Sequence, residues 1–313
     1  MLRLSAILIL VIQFQVFSAS NSSEIQVKKI VSENSKDIVL NIERIGEQFL
    51  GRPYDHHGPL GEGKTGKYDQ DPLWRLDTFD CTTFVETVLA LSISGTLPEF
   101  EKNMDKIRYE NGKVSYATRN HFPCVDWIPN NLKNGLLEDI TEIVAGPGNF
   151  KFAEGEIDKK HWYLMKKKDE IKVPSLSGSK LNSLLISLKQ EGLDFKPLKP
   201  HLPYLPLDVL LPVLSQGPGT GETYTVETSI LDRIPSGCVI NIVRPSWNLR
   251  SACGTLMNVS HQGFVIRKNG EVLLRHASSN GAVMEQNLTD YLLKYRNSPT
   301  LKGINLLSVK AQG

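Results

Sequence analysis

Hydrophobic positions in the first part of the chain recur at helical spacing in two segments. Residues 37–50 carry five apolar side chains that fit an amphipathic helix better than a strand, namely Ile38, Leu40, Ile42, Ile45 and Phe49. Residues 81–94 carry a second stripe, formed by Phe84, Val85, Val88, Leu89 and Ser92. The second stripe predicts a buried helix with Cys81 in its first turn. Its N-cap stays open among three residues, Asp77, Thr78 and Asp80.

Alternation of apolar and polar residues predicts strands further along. Asn111-Gly112 separates two alternating segments within Lys106–Tyr116, which predicts a hairpin. A sharper hairpin is expected where NVSHQGFVI and GEVLLRHAS flank Lys268-Asn269-Gly270, so that facing residues have numbers that sum to about 539. The apolar run Cys238–Val243 predicts a buried neighbouring strand.

Two long stretches interrupt these elements. Tyr54–Trp74 is rich in Gly, Asp, His and Pro, a composition that is typical of an exposed, mobile loop. Between about 146 and 235 the composition shifts toward Lys, Pro and Gly. We interpret this stretch as a large insertion with helical pieces near 157–168 and 178–191. The resulting expectation is an α+β chain, with residues 21–313 as a single catalytic domain that carries this insertion.

The first twenty residues have the pattern of a targeting segment. Met1-Leu2-Arg3 is a short basic start, and Leu4–Phe17 is an almost unbroken apolar run. The run is shorter than the roughly 20 apolar residues of a membrane span. Small residues at 18–20 then predict a signal peptide at 1–20, cleaved after Ser20, and an exported protein that is periplasmic or secreted. A retained N-terminal anchor is the alternative.

Charge and length exclude some classes of protein. Lys and Arg number 36 against 34 Asp and Glu, and removing residues 1–20 takes away only Arg3. This near-neutral balance argues against a nucleic-acid binder, which is expected to carry a strongly basic surface. The length after cleavage lies near the upper limit for a single core.

The cysteines bear on both redox state and metal binding. They are Cys81, Cys124, Cys238 and Cys253, in a chain predicted to reach an oxidising compartment. If Cys81 stays a free thiol, at most one internal disulfide can form, and three pairings are possible. No CxxC or paired Cys/His spacing supports a structural zinc site, and we expect no metal and no cofactor.

Cys81 is the candidate nucleophile. The unpaired N–H groups and the dipole of a helix N-terminus favour a thiolate, and the same N–H groups can stabilise the oxyanion that forms on an attacked amide carbonyl. A lone cysteine at the start of an apolar helix is, however, more often a small buried hydrophobic residue.

Two histidines strengthen the catalytic interpretation. In the predicted hairpin, His276 lies near Gly263 and diagonal to His261, on the same face. This supplies a base, His261, and a second ring that can orient it. Structural histidines are the alternative, as is a metal site of Cys81, His261 and His276, although a catalytic metal would need a separate general base.

These segments together resemble a known family. The residues that carry the resemblance are Gly51-x-Pro53-Tyr54, Phe79-Asp80-Cys81-Thr82-Thr83-Phe84-Val85, Ile234-Pro235-x-Gly237, Ser260-His261-x-Gly263-Phe264-Val265-Ile266 and His276-Ala277. They resemble the catalytic elements of the NlpC-type cell-wall cysteine peptidases, a papain-like superfamily. The resemblance implies a papain-like core in which N-terminal helices pack on an antiparallel sheet. Cys238 departs from the family, which usually has Asp there.

A narrower resemblance follows from the segment Arg119–Asn131, RNHFPCVDWIPNN, and from the long separation between Cys81 and His261. Both are similar to the N-acetylmuramoyl-L-alanine amidase-like branch. That resemblance implies cleavage of the amide between muramoyl lactate and L-alanine in peptidoglycan fragments, with a preference for anhydro-muropeptides. The alternatives are a γ-D-glutamyl-diaminopimelate endopeptidase of the same superfamily and a non-catalytic cell-wall binding module.

The resulting hypothesis assigns roles to individual residues. Cys81 attacks the carbonyl, His261 exchanges the proton and His276 orients His261. The candidates for substrate contact are Tyr54, Asp80, Arg119, His121 and Trp127, and for several of them a structural role is an equal alternative. His56 and His57 are adjacent in a Gly-rich loop and are more often exposed. Muropeptides are the expected partners, with no nucleic acid and no stable membrane anchor.

Overall fold

The computed structural model describes residues 22–217 and 221–310. The predicted signal peptide at 1–20 lies outside these residues. The described chain is an α+β structure in which helices pack on a large antiparallel sheet, as predicted at that level. No helix in these two ranges is long and apolar enough to cross a membrane.

Four helices form the N-terminal layer: α1 (22–32), α2 (Ile38–Gln48), α3 (Cys81–Ser92) and α4 (Leu97–Arg108). The predicted helices at 37–50 and 81–94 are therefore confirmed with slightly shorter bounds. Asp37 caps α2 by accepting hydrogen bonds from the backbone of Val39 and Leu40. Helix α3 is buried along nearly its whole length, which agrees with its apolar composition and fixes it against the sheet.

The main sheet has eight strands in the described residues, in the order β2-β3-β10-β6-β7-β8-β9, with β1 paired to β10. A separate pair is formed by β4 and β5. The strands are β1 (Leu137–Asp139), β2 (Lys151–Ala153), β3 (Leu202–Pro206), β4 (Val213–Gly217), β5 (Gly221–Tyr224), β6 (Val239–Asn248), β7 (Leu256–Lys268), β8 (Glu271–Ala277), β9 (Val283–Asn287) and β10 (Gly303–Val309). All the paired strands run antiparallel.

Strands β7 and β8 form the hairpin that Asn269-Gly270 predicts. Phe264 faces Arg275 and Val265 faces Leu274, so the expected register is confirmed. Asn269 and Gly270 both have positive φ, as a tight hairpin turn requires. The predicted strand after Cys238 is β6, which lies between β7 and β10.

The hairpin predicted within Lys106–Tyr116 was wrong. Helix α4 continues to Arg108, and Glu110–Gly112 forms a short 3₁₀ turn. Asn111 and Gly112 do adopt the positive φ that the dipeptide favours. The flanking residues form no strand pair beyond one bridge between Tyr109 and Arg119, because the residues before the turn bury their apolar face as a helix instead.

The loop at 54–74 is irregular, as predicted, but much of it is buried. Glu62 is 6% exposed, and its carboxylate accepts hydrogen bonds from the backbone of Tyr68 and Asp69. A Cβ on Gly61 would lie 2.3 Å from an Asp69 carboxylate oxygen, so glycine allows the two arms of the loop to approach. The loop is therefore folded around a buried carboxylate rather than exposed along its length.

Residues 146–235 contribute to both the sheet and a side layer. Strands β2 and β3 join the main sheet through β10. The predicted helical pieces are α7 (Lys159–Leu164) and α8 (Gly178–Glu191), which pack with Tyr68 and Tyr116 in a small cluster. The remaining short helices are α5 (Ile128–Lys133), α6 (Thr141–Ala145), α9 (Leu207–Leu210), α10 (Thr228–Leu231), α11 (Arg250–Cys253) and α12 (Leu288–Leu293), with a π-helix at Pro123–Trp127 and a 3₁₀ helix at Lys168–Glu170.

Candidate active site

The N-terminus of α3 is fixed by a capping box. The Asp80 carboxylate accepts a hydrogen bond of 2.7 Å from the Thr83 amide, and the Thr83 hydroxyl accepts one of 2.9 Å from the Asp80 amide. Of the three candidate caps, Asp80 is the N-cap, while Thr78 bonds to the Pro53 carbonyl and Asp77 pairs with Arg75. The cap holds Cys81 at the first helical position, where backbone N–H groups lack helical partners.

The Cys81 thiol is half-buried against strand β7. The backbone amides of Gln262 and Thr82 lower its pKa, and the Thr82 hydroxyl lies 4.0 Å from the sulfur. Burial, followed by the nearby Asp80 carboxylate, raises the pKa of Cys81 to about 12. Burial therefore favours the protonated thiol, because the loss of solvation outweighs the hydrogen bonds that favour the thiolate.

His261 and His276 meet where β7 and β8 cease to pair. Their pairing ends at Phe264 and Arg275, and both histidines lie just beyond this point. His261 Nε2 is 2.5 Å from His276 Nδ1, and the two rings are perpendicular. A Cβ on Gly263 would lie 3.0 Å from that of His276 and 2.8 Å from the Arg275 carbonyl, so the glycine leaves room for the second ring.

Both rings are neutral near pH 7. Burial lowers the pKa of His261 to about 3, and the positive charge that His276 carries when protonated acts in the same direction. Burial lowers the pKa of His276, which is 2% exposed, to about 4. A neutral imidazole is a general base that can accept the proton of a thiol as its sulfur attacks a carbonyl.

Gln286 extends the histidine pair. Its amide nitrogen lies 2.6 Å from His276 Nε2, so that His261, His276 and Gln286 form one hydrogen-bonded series, here named the ring chain. The ring of Tyr291, in α12, packs edge-on against His276, and the two ring centroids are 5.8 Å apart. The sequence analysis missed Gln286 and Tyr291 because they follow the hairpin in β9 and α12, for which no motif or spacing indicated proximity.

A second series of polar side chains leaves the site through the core. It runs from Thr82 through Gln262, Asn241 and Asn305 to Asp139, here named the amide chain. Each link is a hydrogen bond of 2.7 to 2.9 Å, and the three amides are no more than 1% exposed. Because every amide N–H₂ group donates in the same direction, the series fixes the orientation of Gln262, whose backbone amide lowers the pKa of Cys81.

Tyr54 lies at the same site. Its backbone pairs with Phe79, shortly before α3, and with Gly281, shortly after β8. Burial, followed by the charges of Cys81 and Asp80, raises the pKa of its hydroxyl. The hydroxyl is therefore protonated and can donate a hydrogen bond near the reacting sulfur.

Arg119, His121 and Trp127 belong to a different neighbourhood. Arg119 pairs with buried Asp69 at 2.9 Å, and its Nε and Nη2 are buried without a hydrogen-bond partner in the described residues. His121 donates from its ring to the Tyr116 carbonyl, and burial, followed by the charge of Arg119, lowers its pKa. Trp127 is 0% exposed within the main core, so a ligand could reach it only if neighbouring side chains moved.

The other groups that the sequence analysis considered are the adjacent histidines at 56 and 57, the cysteines and a possible metal site. His56 and His57 are exposed, and the ring of His56 lies 4.8 Å from that of Tyr54. All four cysteines are free thiols, so none of the three possible disulfides is present. Across residues 22–217 and 221–310, no group of three or more His, Cys, Asp and Glu side chains is placed to hold a metal ion.

Comparison with known proteins adds a family and several structures. A family model for N-acetylmuramoyl-L-alanine amidase-like proteins matches residues 44–301. A crystal structure of a Legionella pneumophila protein is 36% identical, covers 93% of this chain and 96% of its own, and has a TM-score of 0.86. An N-acetylmuramoyl-L-alanine amidase from Bacteroides uniformis is 26% identical over 87% of this chain and 99% of its own, with a TM-score of 0.55.

A third structure carries a different name. A Bacteroides fragilis protein, provisionally described as a xylanase, is 28% identical over 84% of this chain and 99% of its own, with a TM-score of 0.52. No curated protein sequence matched the chain.

Proposed function

The chain belongs to the N-acetylmuramoyl-L-alanine amidase-like family, and we propose that it hydrolyses the amide between muramoyl lactate and L-alanine through a cysteine nucleophile. The observation that carries this proposal is that a neutral His261–His276 pair and the capped Cys81 share neighbours. Gln262 follows His261 in β7, and its backbone hydrogen bond lowers the pKa of Cys81. The ring of Tyr291 packs on His276, and the charge of Cys81 raises the pKa of Tyr291. We further propose that this arrangement corresponds to a papain-like cysteine peptidase core.

The first half of the reaction is acyl transfer to sulfur. His261 Nε2 faces His276, so Nδ1 is the ring nitrogen that accepts the Cys81 proton. The sulfur attacks the lactyl carbonyl, and the resulting imidazolium gives that proton to the amine of L-alanine as the C–N bond breaks. The products are a thioester on Cys81 and the free stem peptide.

Hydrolysis of the thioester reverses the roles. Neutral His261 takes a proton from water as the water oxygen attacks the thioester carbonyl, and then returns a proton to the sulfur as it leaves. Muramic acid is released, and the thiol is regenerated. Backbone N–H groups at the start of α3 and the protonated Tyr54 hydroxyl are the donors available to the oxyanion in both halves.

The substrate class follows from the resemblance and the family. We propose soluble anhydro-muropeptides as substrates, in the periplasm or outside the cell after removal of residues 1–20. The roles of Tyr54 and Asp80 divide on this view: Tyr54 contacts the reacting carbonyl, while Asp80 holds the helix cap. Arg119 and His121 remain proposed substrate contacts at the edge of the Tyr116 and Trp162 cluster.

The proposal is tested by mass spectrometry of products from a purified anhydro-disaccharide tetrapeptide. We expect free disaccharide and intact tetrapeptide from the protein lacking residues 1–20, and no turnover from Cys81→Ala. Cys253→Ala is the matched control, because Cys253 is also a half-exposed free thiol at the end of a short helix. A folded Cys81→Ala protein with full activity would overturn the cysteine mechanism.

The products of that digest, together with a xylan assay and a thiol-directed probe, separate the alternatives. Cleavage inside the stem peptide would indicate the endopeptidase. Release of xylose oligomers from xylan would favour glycoside hydrolysis, which usually requires two carboxyl groups about 5 to 10 Å apart. Binding to peptidoglycan without any cleavage, together with failure of a thiol-directed probe to label Cys81, would indicate a binding module.

A further inference from the structure

The positions of the hydrogens on the two imidazoles of the ring chain constrain the side chain at its far end. For His261 Nδ1 to accept the thiol proton, His261 Nε2 must carry the hydrogen of the neutral ring. That hydrogen is donated to His276 Nδ1, 2.5 Å away, so His276 Nδ1 must be bare. His276 is neutral, and its single ring hydrogen is then on Nε2.

The group facing His276 Nε2 therefore decides whether His261 can act as a base. Gln286 is that group, at 2.6 Å. If its amide N–H₂ donates to His276 Nε2, the single ring hydrogen of His276 must lie on Nδ1, where it is donated to His261 Nε2. The single hydrogen of the neutral His261 ring then lies on Nδ1. That nitrogen cannot accept the thiol proton. If its carbonyl oxygen accepts from Nε2–H, the tautomers of both rings are correct. The two amide orientations differ by a half turn of one side-chain bond.

We propose that Gln286 is a positioning residue that presents its carbonyl oxygen to His276 Nε2 during catalysis and so sets the tautomer of His261. This inference rests on the function proposed above. This orientation also suits the imidazolium that forms when His261 accepts the thiol proton. The hydrogen on His261 Nε2 is donated to His276 Nδ1 before and after that transfer, so the direction of the hydrogen bond does not change. The opposite orientation serves neither the resting base nor the imidazolium.

The position of Gln286 in the sheet suits this role. It lies opposite Leu274 in the β8–β9 pair, so it is a diagonal neighbour of His276 on the same face. His276 is nearly inaccessible, which leaves Gln286 as the partner of its Nε2 in place of bulk water. Tyr291 of α12 packs on His276 and is influenced by the charges of Tyr295, Arg244 and Cys81. Asp80 in turn raises the pKa of Cys81.

Substitutions at Gln286 can separate the two orientations. Glu is isosteric and accepts only, Lys donates only, and Met fills similar space without either ability. We expect Gln286→Met to lower kcat/KM about tenfold, Gln286→Lys to lower it further, and Gln286→Glu to stay within a few-fold of wild type above pH 6. Gln190→Met and Gln190→Glu make the same changes at an exposed position of α8 and serve as controls.

A second readout does not depend on the substrate. The alkylation rate of Cys81 by iodoacetamide reports how readily His261 accepts the thiol proton, and we expect the same order of variants at pH 7. Long-range ¹⁵N–¹H correlation spectra of the wild type should show His276 with its hydrogen on Nε2. A purely structural role for Gln286 would change unfolding temperature but not this order or these tautomers.

The outcomes are decisive in both directions. Equal activity of the Met and wild-type proteins, activity of Lys above that of Glu, or a hydrogen on His276 Nδ1 would overturn the proposal. If the wild type cleaves no muropeptide but alkylation and tautomers follow the expected order, the proposed amidase function fails while the role of Gln286 stands.

Discussion

The ring chain and the amide chain pass through neighbouring residues of β7, His261 and Gln262, and differ in what they can do. The ring chain contains two titratable imidazoles and ends at the half-buried Gln286. The amide chain contains three carboxamides that are almost inaccessible, and it ends at Asp139. Imidazoles can exchange protons during a reaction, whereas amides cannot, so the first chain is suited to chemistry and the second to holding Gln262 and Thr82 in place.

The comparison also separates two kinds of energetic consequence. Loss of His261, which is half-exposed, removes a proton acceptor and lets water reach the facing nitrogen of His276. Loss of a central amide leaves two buried polar groups without partners, each at about 1 to 3 kcal/mol. The ring chain should therefore be broken mainly in rate, and the amide chain mainly in stability.

The largest effect is expected at the base. His261→Ala removes the acceptor of the thiol proton, and we expect kcat to fall about 10³-fold with little change in the free energy of unfolding. Steady-state kinetics and urea unfolding measure the two quantities. His201→Ala is the control, since His201 is an exposed histidine that stacks on Phe152. Retention of more than a tenth of wild-type activity would remove His261 from the mechanism.

The amide chain is broken most directly at its centre. Asn241→Leu conserves size but leaves Gln262 Nε2 and Asn305 Oδ1 without their partners. We expect about 2 to 4 kcal/mol less free energy of unfolding, measured in urea. Asn182→Leu, at an exposed position on α8, should change it by less than about 0.5 kcal/mol. A similarly small change for Asn241→Leu would mean that the chain does not stabilise the fold.

The smallest effect at neutral pH, and the sharpest contrast, is in the pH dependence of stability. Burial holds the pKa of His261 near about 3 and that of His276 near about 4, below the usual 6.5. The unfolded state then binds more protons between these values, so the stability contributed by neutral rings is present above pH 6.5 and is lost as the pH falls. Burial raises the pKa of Asp139, which gives the opposite sign: its contribution is present below its unfolded pKa and is lost as the pH rises.

Variants isolate the two signs. His276→Gln should flatten the loss of unfolding free energy between pH 6.5 and pH 4, whereas Asp139→Asn should steepen it. Urea unfolding at several pH values gives both slopes. The same direction of change in both variants would show that the two chains do not differ in this way.

Sequence reasoning located the site through local signals. The turn preference of Asn269-Gly270 fixed the register of β7 and β8, and this register alone predicted that His261 and His276 share one face. The residues before Cys81 predicted a helix start near Cys81 but left the cap open among Asp77, Thr78 and Asp80, of which the structure selects Asp80. At Asn111-Gly112 the same kind of signal gave correct backbone angles but the wrong element, because the burial of the apolar face of α4 overrode a local turn preference.

The sequence by itself determined the helix that carries Cys81, the hairpin that carries both histidines and the near-neutral charge of the chain, since each depends on neighbours within a few residues. Only the tertiary structure decided that Gln286 ends the ring chain and that Asn241, Asn305 and Asp139 continue the amide chain beyond Gln262. It also decided that, at the Cys81 thiol, burial outweighs the hydrogen bonds that favour the thiolate. These properties arise from strands far apart in the chain and from the exclusion of water, which no local pattern encodes.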